Sequence, residues 1–262
     1  MRTFVNGKII DLSPDGRREG CLVNSKETNG ASYESVTDQQ LQDQLTYYKE
    51  RAPEYDNWWY RRGTFNQGDE ANQIWFDEIS TVKDAFKAEH FHGDFLELAA
   101  GTGTWSSLFL KEALILTIVD GSEEMLSHNP VVSEPNVRTI IADLFSWSPD
   151  QLYDSVAFTF WISHLPRERL ASFFTMVSRC LKPGGKMFFI DDREVAGTRE
   201  SHVVGTSGQT MVRKLNNGDH ATIVKNFFGD KEIEQIAASV GIELHVHCTP
   251  KYFLYGIGSK TV

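Results

Sequence analysis

Leu96-Glu97-Leu98-Ala99-Ala100-Gly101-Thr102-Gly103-Thr104 decides how this chain is read. A short apolar run from Asp94 gives way to small residues and then to Trp105-Ser106-Ser107-Leu108-Phe109-Leu110-Lys111-Glu112-Ala113, the pattern of a strand turning sharply into a helix. Gly101 and Gly103 remove the side chains that would hold a ligand away from the backbone of that turn. A Gly-x-Gly does not by itself name a ligand, because many α/β proteins place glycine in such turns for steric reasons alone.

Downstream, Leu116-Thr117-Ile118-Val119-Asp120 reads as the next strand. Its terminal carboxylate is placed to accept both hydroxyl protons of a ribose, the alternative being a solvated aspartate at a strand end. Asp143 ends Ile140-Ile141-Ala142-Asp143 in the same way, and the following Leu144 and Phe145 suit the edge and face of an adenine. Further on, YDSVAFTF, RERLASFFTMVSRCL and KMFFIDD continue the alternation of strand and helix, which predicts a parallel sheet covered on both faces. A polar, glycine-rich stretch at about residues 197–226 breaks the rhythm and reads as an insertion near the end of the fifth strand. After the helical DKEIEQIAASVG, IELHVHC and YFLYGIG are joined by Thr249-Pro250-Lys251 and predict a closing hairpin.

In this order the motifs resemble those of the class I methyltransferase superfamily, whose cofactor is S-adenosylmethionine (SAM) and whose product is S-adenosylhomocysteine (SAH). LELAAGTGT resembles the SAM-binding motif, with Glu97 at its acidic position and Ala99, Gly101 and Gly103 along the turn. VDGSEEML resembles the segment in which Asp120 and Gly121 meet the ribose and Met125 packs on adenine. IADLF resembles the adenine-amide segment, here Asp143 and Leu144, and LKPGGKMFFIDD resembles the helix, turn and strand leading into the fifth strand. The resemblance spans about residues 94–258. It implies a Rossmann-like sheet of seven strands in the order 3-2-1-4-5-7-6, the seventh antiparallel, and methyl transfer to nitrogen or oxygen of a small molecule. Two alternatives stand beside it: a SAM-binding enzyme of the same fold that transfers no methyl group, and a nicotinamide-dependent oxidoreductase, because Gly101-x-Gly103-x-x-Ser106 departs from a dinucleotide pattern only at Ser106.

Ahead of this core (residues 93–262), residues 1–36 read as an arm with a short hairpin at FVNGKII, and residues 37–92 as a helical cap and lead-in helix. Thr37 and Gln40 form a capping-box pattern, Leu41, Leu45 and Tyr48 recur at helical spacing, and Trp75, Ile79, Val82 and Phe86 mark the apolar face of the lead-in helix. The aromatic run from Tyr47 to Tyr60 resembles the caps of small-molecule methyltransferases, in which tyrosines close over SAM. That makes Tyr47 and Tyr55 cofactor candidates, and Trp59, Arg51 and Arg62 acceptor candidates, the arginines for a carboxylate. Phe160 and Trp161, just beyond the fourth strand, are placed to flank the methionine part of SAM. His164 follows them as a candidate general base, against a purely structural role at a helix entrance.

The formal net charge of -10 provides no basic surface for a phosphate backbone, which argues against nucleic acid. No signal peptide or membrane-length apolar run is evident. Cys21, Cys180 and Cys248 are too few and too far apart for a disulfide framework or zinc site, which suits a reducing compartment. The expectation is a cytoplasmic monomer or homodimer that takes a small-molecule acceptor and needs no metal, with no membrane partner.

Overall fold

The computed structural model describes residues 2–5, 8–11, 33–194, 208–215 and 218–262. The rest of the expected arm and much of the expected insertion lie outside the described residues. Strands β1 (Arg2–Val5) and β2 (Lys8–Asp11) pair antiparallel, with Val5 opposite Lys8. Helix α1 (Asp38–Arg51) begins in a capping box: Gln40 N–H donates to the Thr37 hydroxyl at 3.2 Å, and Thr37 N–H donates to the Gln40 side chain at 2.9 Å. Val36 is already buried against Leu41 and Val224, so cap packing begins ahead of that helix.

The short helix α2 (Asp56–Trp59) leads to α3 (Asp69–Ala88), whose buried face carries Trp75, Ile79, Val82 and Phe86. Glu78 lies on the same face. Its carboxylate accepts hydrogen bonds from Thr249 Oγ1 and from the Lys251 and Tyr252 amides, which pins the closing hairpin's turn to α3.

The core strands are β3 (Asp94–Leu98), β4 (Ile115–Asp120), β5 (Val137–Ile141), β6 (Tyr153–Thr159) and β7 (Leu181–Asp192). A separate hairpin, β8 (Thr210–Lys214) with β9 (His220–Val224), precedes β10 (Ile242–Cys248) and β11 (Phe253–Lys260). The large sheet runs β10-β11-β7-β6-β3-β4-β5, with β11 antiparallel to both neighbours and the other pairings parallel. Counting only its own strands, this is the order expected from the sequence. Alternation along each strand feeds two cores: Leu96, Phe158 and Phe189 face α6 (Leu170–Cys180) and α7 (Asp230–Ser239), whereas Phe95, Ala157 and Phe188 face α3.

Three local features differ from expectation. The segment after the glycine turn is helical only over α4 (Ser106–Phe109). The LKPGG turn is absorbed into β7 as an irregularity, Tyr153 pairing with Leu181 and Ser155 with Lys186. The described part of the insertion is the β8–β9 hairpin, which lies against α1. Cys180 is buried and free, whereas Cys248 is disulfide-bonded, which removes the cysteine argument for a reducing compartment. Among the described residues, no helix is long and apolar enough to cross a membrane.

Candidate active site

At the carboxyl end of β3 the chain turns through Ala99 and Gly101, both with positive φ (52° and 53°), and Gly103 at 81°. Gly101 N–H donates to Asp120 Oδ2 at 2.9 Å, and Ser122 N–H donates to Asp120 Oδ1 at 2.8 Å. These bonds fix the carboxylate at the end of β4, while Ser122 caps α5 (Glu123–Ser127) by accepting from Met125 N–H at 3.1 Å. The two glycines serve different needs. A Cβ on Gly103 would sit 2.4 Å from Asn129 Oδ1, so that glycine is required by internal packing. A Cβ on Gly101 would meet only Met125 Cε, at 3.3 Å, on the cavity side. Thr102 Oγ1 donates to Asp56 Oδ1 at 2.6 Å and ties α2 to the turn.

A cavity of about 390 Å³ opens above this edge of the sheet. Gly101, Asp120, Gly121, Met125, Asp143 and Leu144 line one end. Tyr48, Tyr55, Thr159, Phe160, Trp161 and His164 line the other, with Ala99 also in its wall. Phe160 holds φ at 53°, rare for an aromatic residue, while its N–H donates to Ile190 O at 2.7 Å and its ring meets Trp58 edge-on at 4.9 Å. Asp143 is exposed and accepts from Phe145 N–H at 2.9 Å, which aims Phe145 at the cavity.

His164 lies in a 3-10 turn, Ile162–His164, and both ring nitrogens are engaged. Nδ1 is 2.8 Å from the Val224 carbonyl, which only accepts, so Nδ1 carries the proton. Nε2, 2.8 Å from the Tyr48 hydroxyl, is then the acceptor of the Tyr48 proton in the neutral ring. Burial, reinforced by the positive charge of Lys225, holds the imidazole well below its ordinary pKa, while burial raises the Tyr48 phenol. Gln44 fastens this corner: its Nε2 donates to His164 O at 3.2 Å and its Oε1 accepts from Val224 N–H at 2.9 Å. Lys225, its side chain only 2% exposed, donates to Asp192 Oδ2 at 2.7 Å and to Ser163 Oγ at 3.0 Å. Asp191 accepts from Ser163 N–H, and burial pushes its carboxyl up to about 6 against the pull of Lys225.

A family model described as a methyltransferase domain matches residues 95–185, the stretch from β3 into β7. Two structures of DhpI, a DhpI–SAH complex and a DhpI–SAM–HEP complex, share 28% and 29% identity with this chain, with TM-scores of 0.69 and 0.71; in each comparison 86% of this chain covers 99% of the other. The N-methyltransferase NodS from Bradyrhizobium japonicum, in complex with SAH, shares the fold at 12% identity and a TM-score of 0.56, with 83% of this chain covering 98% of it. No curated protein sequence matches the chain. The chain therefore resembles SAM-dependent methyltransferases, in sequence over residues 95–185 and in fold over most of its length.

Two carboxylates of this chain bear on whether a SAM-like cofactor could be held here. Glu97 is 1% exposed, and among the described residues the Ser106 hydroxyl is the one donor that bears on its carboxylate, too poorly placed to satisfy either oxygen. Burial pushes its carboxyl up to about 8, Ser106 opposing only in part. A buried acid left so poorly satisfied beside a glycine turn is suited to an ammonium group, such as that of the methionine part of SAM. Asp120 is held by its two amide donors at the position expected of a ribose acceptor. Ser106, where a dinucleotide motif would have its third glycine, is instead fully buried and accepts from Asn129 Nδ2 at 2.9 Å, which does not favour the nicotinamide alternative.

Glu97 and Gly103, at the glycine turn, are not part of the cavity wall, and four further sequence candidates lie away from the cavity. Tyr47 packs on Leu215 and Ile223 of the inserted hairpin, and Tyr48, one residue on along α1, takes the cavity position instead. Trp59 is a core residue wedged among Trp75, Trp105 and Phe160 at centroid distances of 6.2, 6.1 and 5.6 Å. Arg62 is exposed, with its guanidinium 4.6 Å from the Tyr60 ring centroid. Arg51 is buried behind the lining, 5.1 Å from the Tyr55 ring centroid, and donates to Tyr47 Oη at 2.9 Å. Phe145, expected against an adenine face, lines the cavity, as do Tyr48, Thr159 and Arg169, which the sequence does not mark as site residues. For Tyr48 the signal was present, because any α1 residue one step from a chosen face points about 100° away.

Proposed function

We propose that this methyltransferase transfers the SAM methyl group to an oxygen of a small, anionic acceptor. The observation that carries this reading is Arg51: it is 7% exposed, yet no carboxylate lies within ion-pair distance of it among the described residues. A buried guanidinium contacted only by a phenol and aromatic rings favours a negative charge nearby. It acts together with Lys225 and Arg213, whose charges, like its own, are felt at His164. Asp191 and Asp192 offset part of this field.

SAM, when bound, supplies an electrophilic methyl group on a positively charged sulfur. Glu97 and Asp120 hold the two ends of the cofactor, and Phe160 and Trp161 wall the space between them. Tyr48 and Tyr55 close the opposite side and exclude water, while Arg51, behind Tyr55, contributes positive charge to that end of the cavity without touching the acceptor. An oxyanion needs no base to remove a proton, so positioning supplies most of the acceleration, and His164 reaches the acceptor only through the Tyr48 hydroxyl.

Transfer of labelled methyl from SAM to a panel of small carboxylates and phosphorus oxyacids, beside neutral alcohols and amines, tests this reading. Labelled esters of the acids are expected. Turnover of amines or neutral alcohols alone would overturn the anionic-oxygen assignment.

A further inference from the structure

Hydrogen-bond polarity at the acceptor end of the cavity has a direction. Because the Val224 carbonyl takes the Nδ1 proton of His164, the neutral ring has only a lone pair at Nε2, and the single Tyr48 hydroxyl proton is committed to it. Tyr48 therefore presents only oxygen lone pairs to the cavity, and an anionic oxygen placed there would meet no donor. Reversal of one bond removes the conflict. With a proton on Nε2, the ring donates to Tyr48 Oη, and the phenol proton turns toward the cavity.

We propose that binding of an anionic group against Tyr48 is coupled to uptake of one proton from solvent by His164, which converts Tyr48 from hydrogen-bond acceptor to donor. The step balances without breaking a covalent bond: one proton is added at Nε2, the Nδ1–H to Val224 bond is kept, the Tyr48–His164 bond persists with its direction reversed, and the ligand gains a donor. The proposal rests on the anionic-acceptor reading above.

The charged surroundings act in the same sense. The groups facing the ring are Tyr48 and Arg51 from α1, Tyr55 from the turn after it, Asp191 and Asp192 at the end of β7, Arg213 from β8, and Lys225 just after β9. Without a ligand, burial and the three cations keep the imidazole neutral, even with both aspartates nearby. An anion in the cavity offsets that positive field, so the charged ring becomes easier to form at the moment its second donor is needed. Gln44, bonded to His164 O and to the Val224 amide, holds the ring and its carbonyl partner in place throughout.

Calorimetric titration of the SAH-loaded protein with sulfate and, separately, with acetate is the test, in two buffers of different ionisation heat between pH 6.5 and 8.5. The wild type is expected to take up about one proton per bound anion and to lose affinity by about tenfold per pH unit at the alkaline end. His164→Asn offers a permanent amide donor to Tyr48, so it should bind the anion with no proton uptake and little pH dependence. Tyr48→Phe should weaken binding and also abolish uptake, which keeps the test independent of the stability of the His164 variant. Anion binding by the wild type without proton uptake overturns the coupling and leaves the anionic-acceptor reading standing. Absence of binding by both sulfate and acetate overturns that reading and the coupling with it.

Discussion

Replacing Glu97 by glutamine removes a carboxyl whose ionisation the folded chain disfavours, and the size of the effect follows from the site. Burial raises the carboxyl from 4.5 to about 8. A carboxyl raised on folding binds its proton more tightly in the native state. Relative to a neutral isostere, stability is therefore intact below about pH 4.5, declines as pH rises toward 8, and stays at its lowered level above that. At pH 7 the relevant span is 7 − 4.5, or about 2.5 pH units, which at about 1.36 kcal/mol each is roughly 3 kcal/mol. Glu97→Gln should thus raise the melting temperature of the ligand-free protein at pH 7 by roughly 6–12 °C, with little gain at pH 4.5. The same variant should bind SAM more weakly by about 1.5–3 kcal/mol, because the charged partner of the ammonium is gone. Thermal melts from pH 4.5 to 9 and SAM calorimetry check both halves. Parallel melting curves for the two proteins, or undiminished SAM affinity in the variant, would refute the argument that Glu97 is kept poorly satisfied for a cationic ligand.

Asp120→Ala should weaken SAM and SAH to a similar degree, by about 1.5–3 kcal/mol in calorimetry, since it removes a ribose acceptor common to both. Tyr48→Phe should lower turnover or acceptor affinity while Tyr47→Phe leaves both near wild type, because only the former ring lines the cavity; steady-state kinetics on an identified acceptor separates them. Trp59→Ala should cost about 3–5 kcal/mol of stability in denaturant unfolding, as a core truncation does, with activity per folded molecule largely kept. Arg51→Leu should raise the acceptor KM well above its effect on SAM affinity, and equal losses in both would mean that Arg51 only supports the cap.

The sheet was legible because each strand carries its own pattern: DFLEL, LTIVD and YDSVAFTF are apolar runs ending at the ligand edge, and the turns between them hold Gly101, Asp120 and Asp143 at matching positions. Those same turns line one end of the cavity, where Gly101, Asp120, Gly121, Met125, Asp143 and Leu144 are all residues that the sequence marks. The acceptor end was not legible in this way, because it depends on how α1 rotates, and that rotation is set by a partner with no distinctive pattern. Leu215 and Ile223 of the inserted hairpin draw Tyr47 and leave Tyr48 for the cavity. Trp59 was misread for a related reason: an aromatic run looks alike whether it closes a site or fills a core, and only the Trp75, Trp105 and Phe160 rings around it decide. The His164 tautomer depends on Val224, 60 residues away, and no local motif announces it.

The β8–β9 hairpin belongs to neither face of the large sheet and contributes no strand to it. It nevertheless supplies the Val224 carbonyl and leads directly into Lys225. On the proposed reading, acceptor choice is detachable from cofactor use: exchanging the hairpin's sequence re-aims Tyr48 and His164 while the turns proposed to hold SAM, at the ends of β3, β4 and β5, remain untouched. For an engineer seeking a new methyl acceptor on this scaffold, the hairpin forms an exchangeable cassette whose seams with the rest of the protein are Gln44, Tyr47 and the Lys225–Asp192 pair.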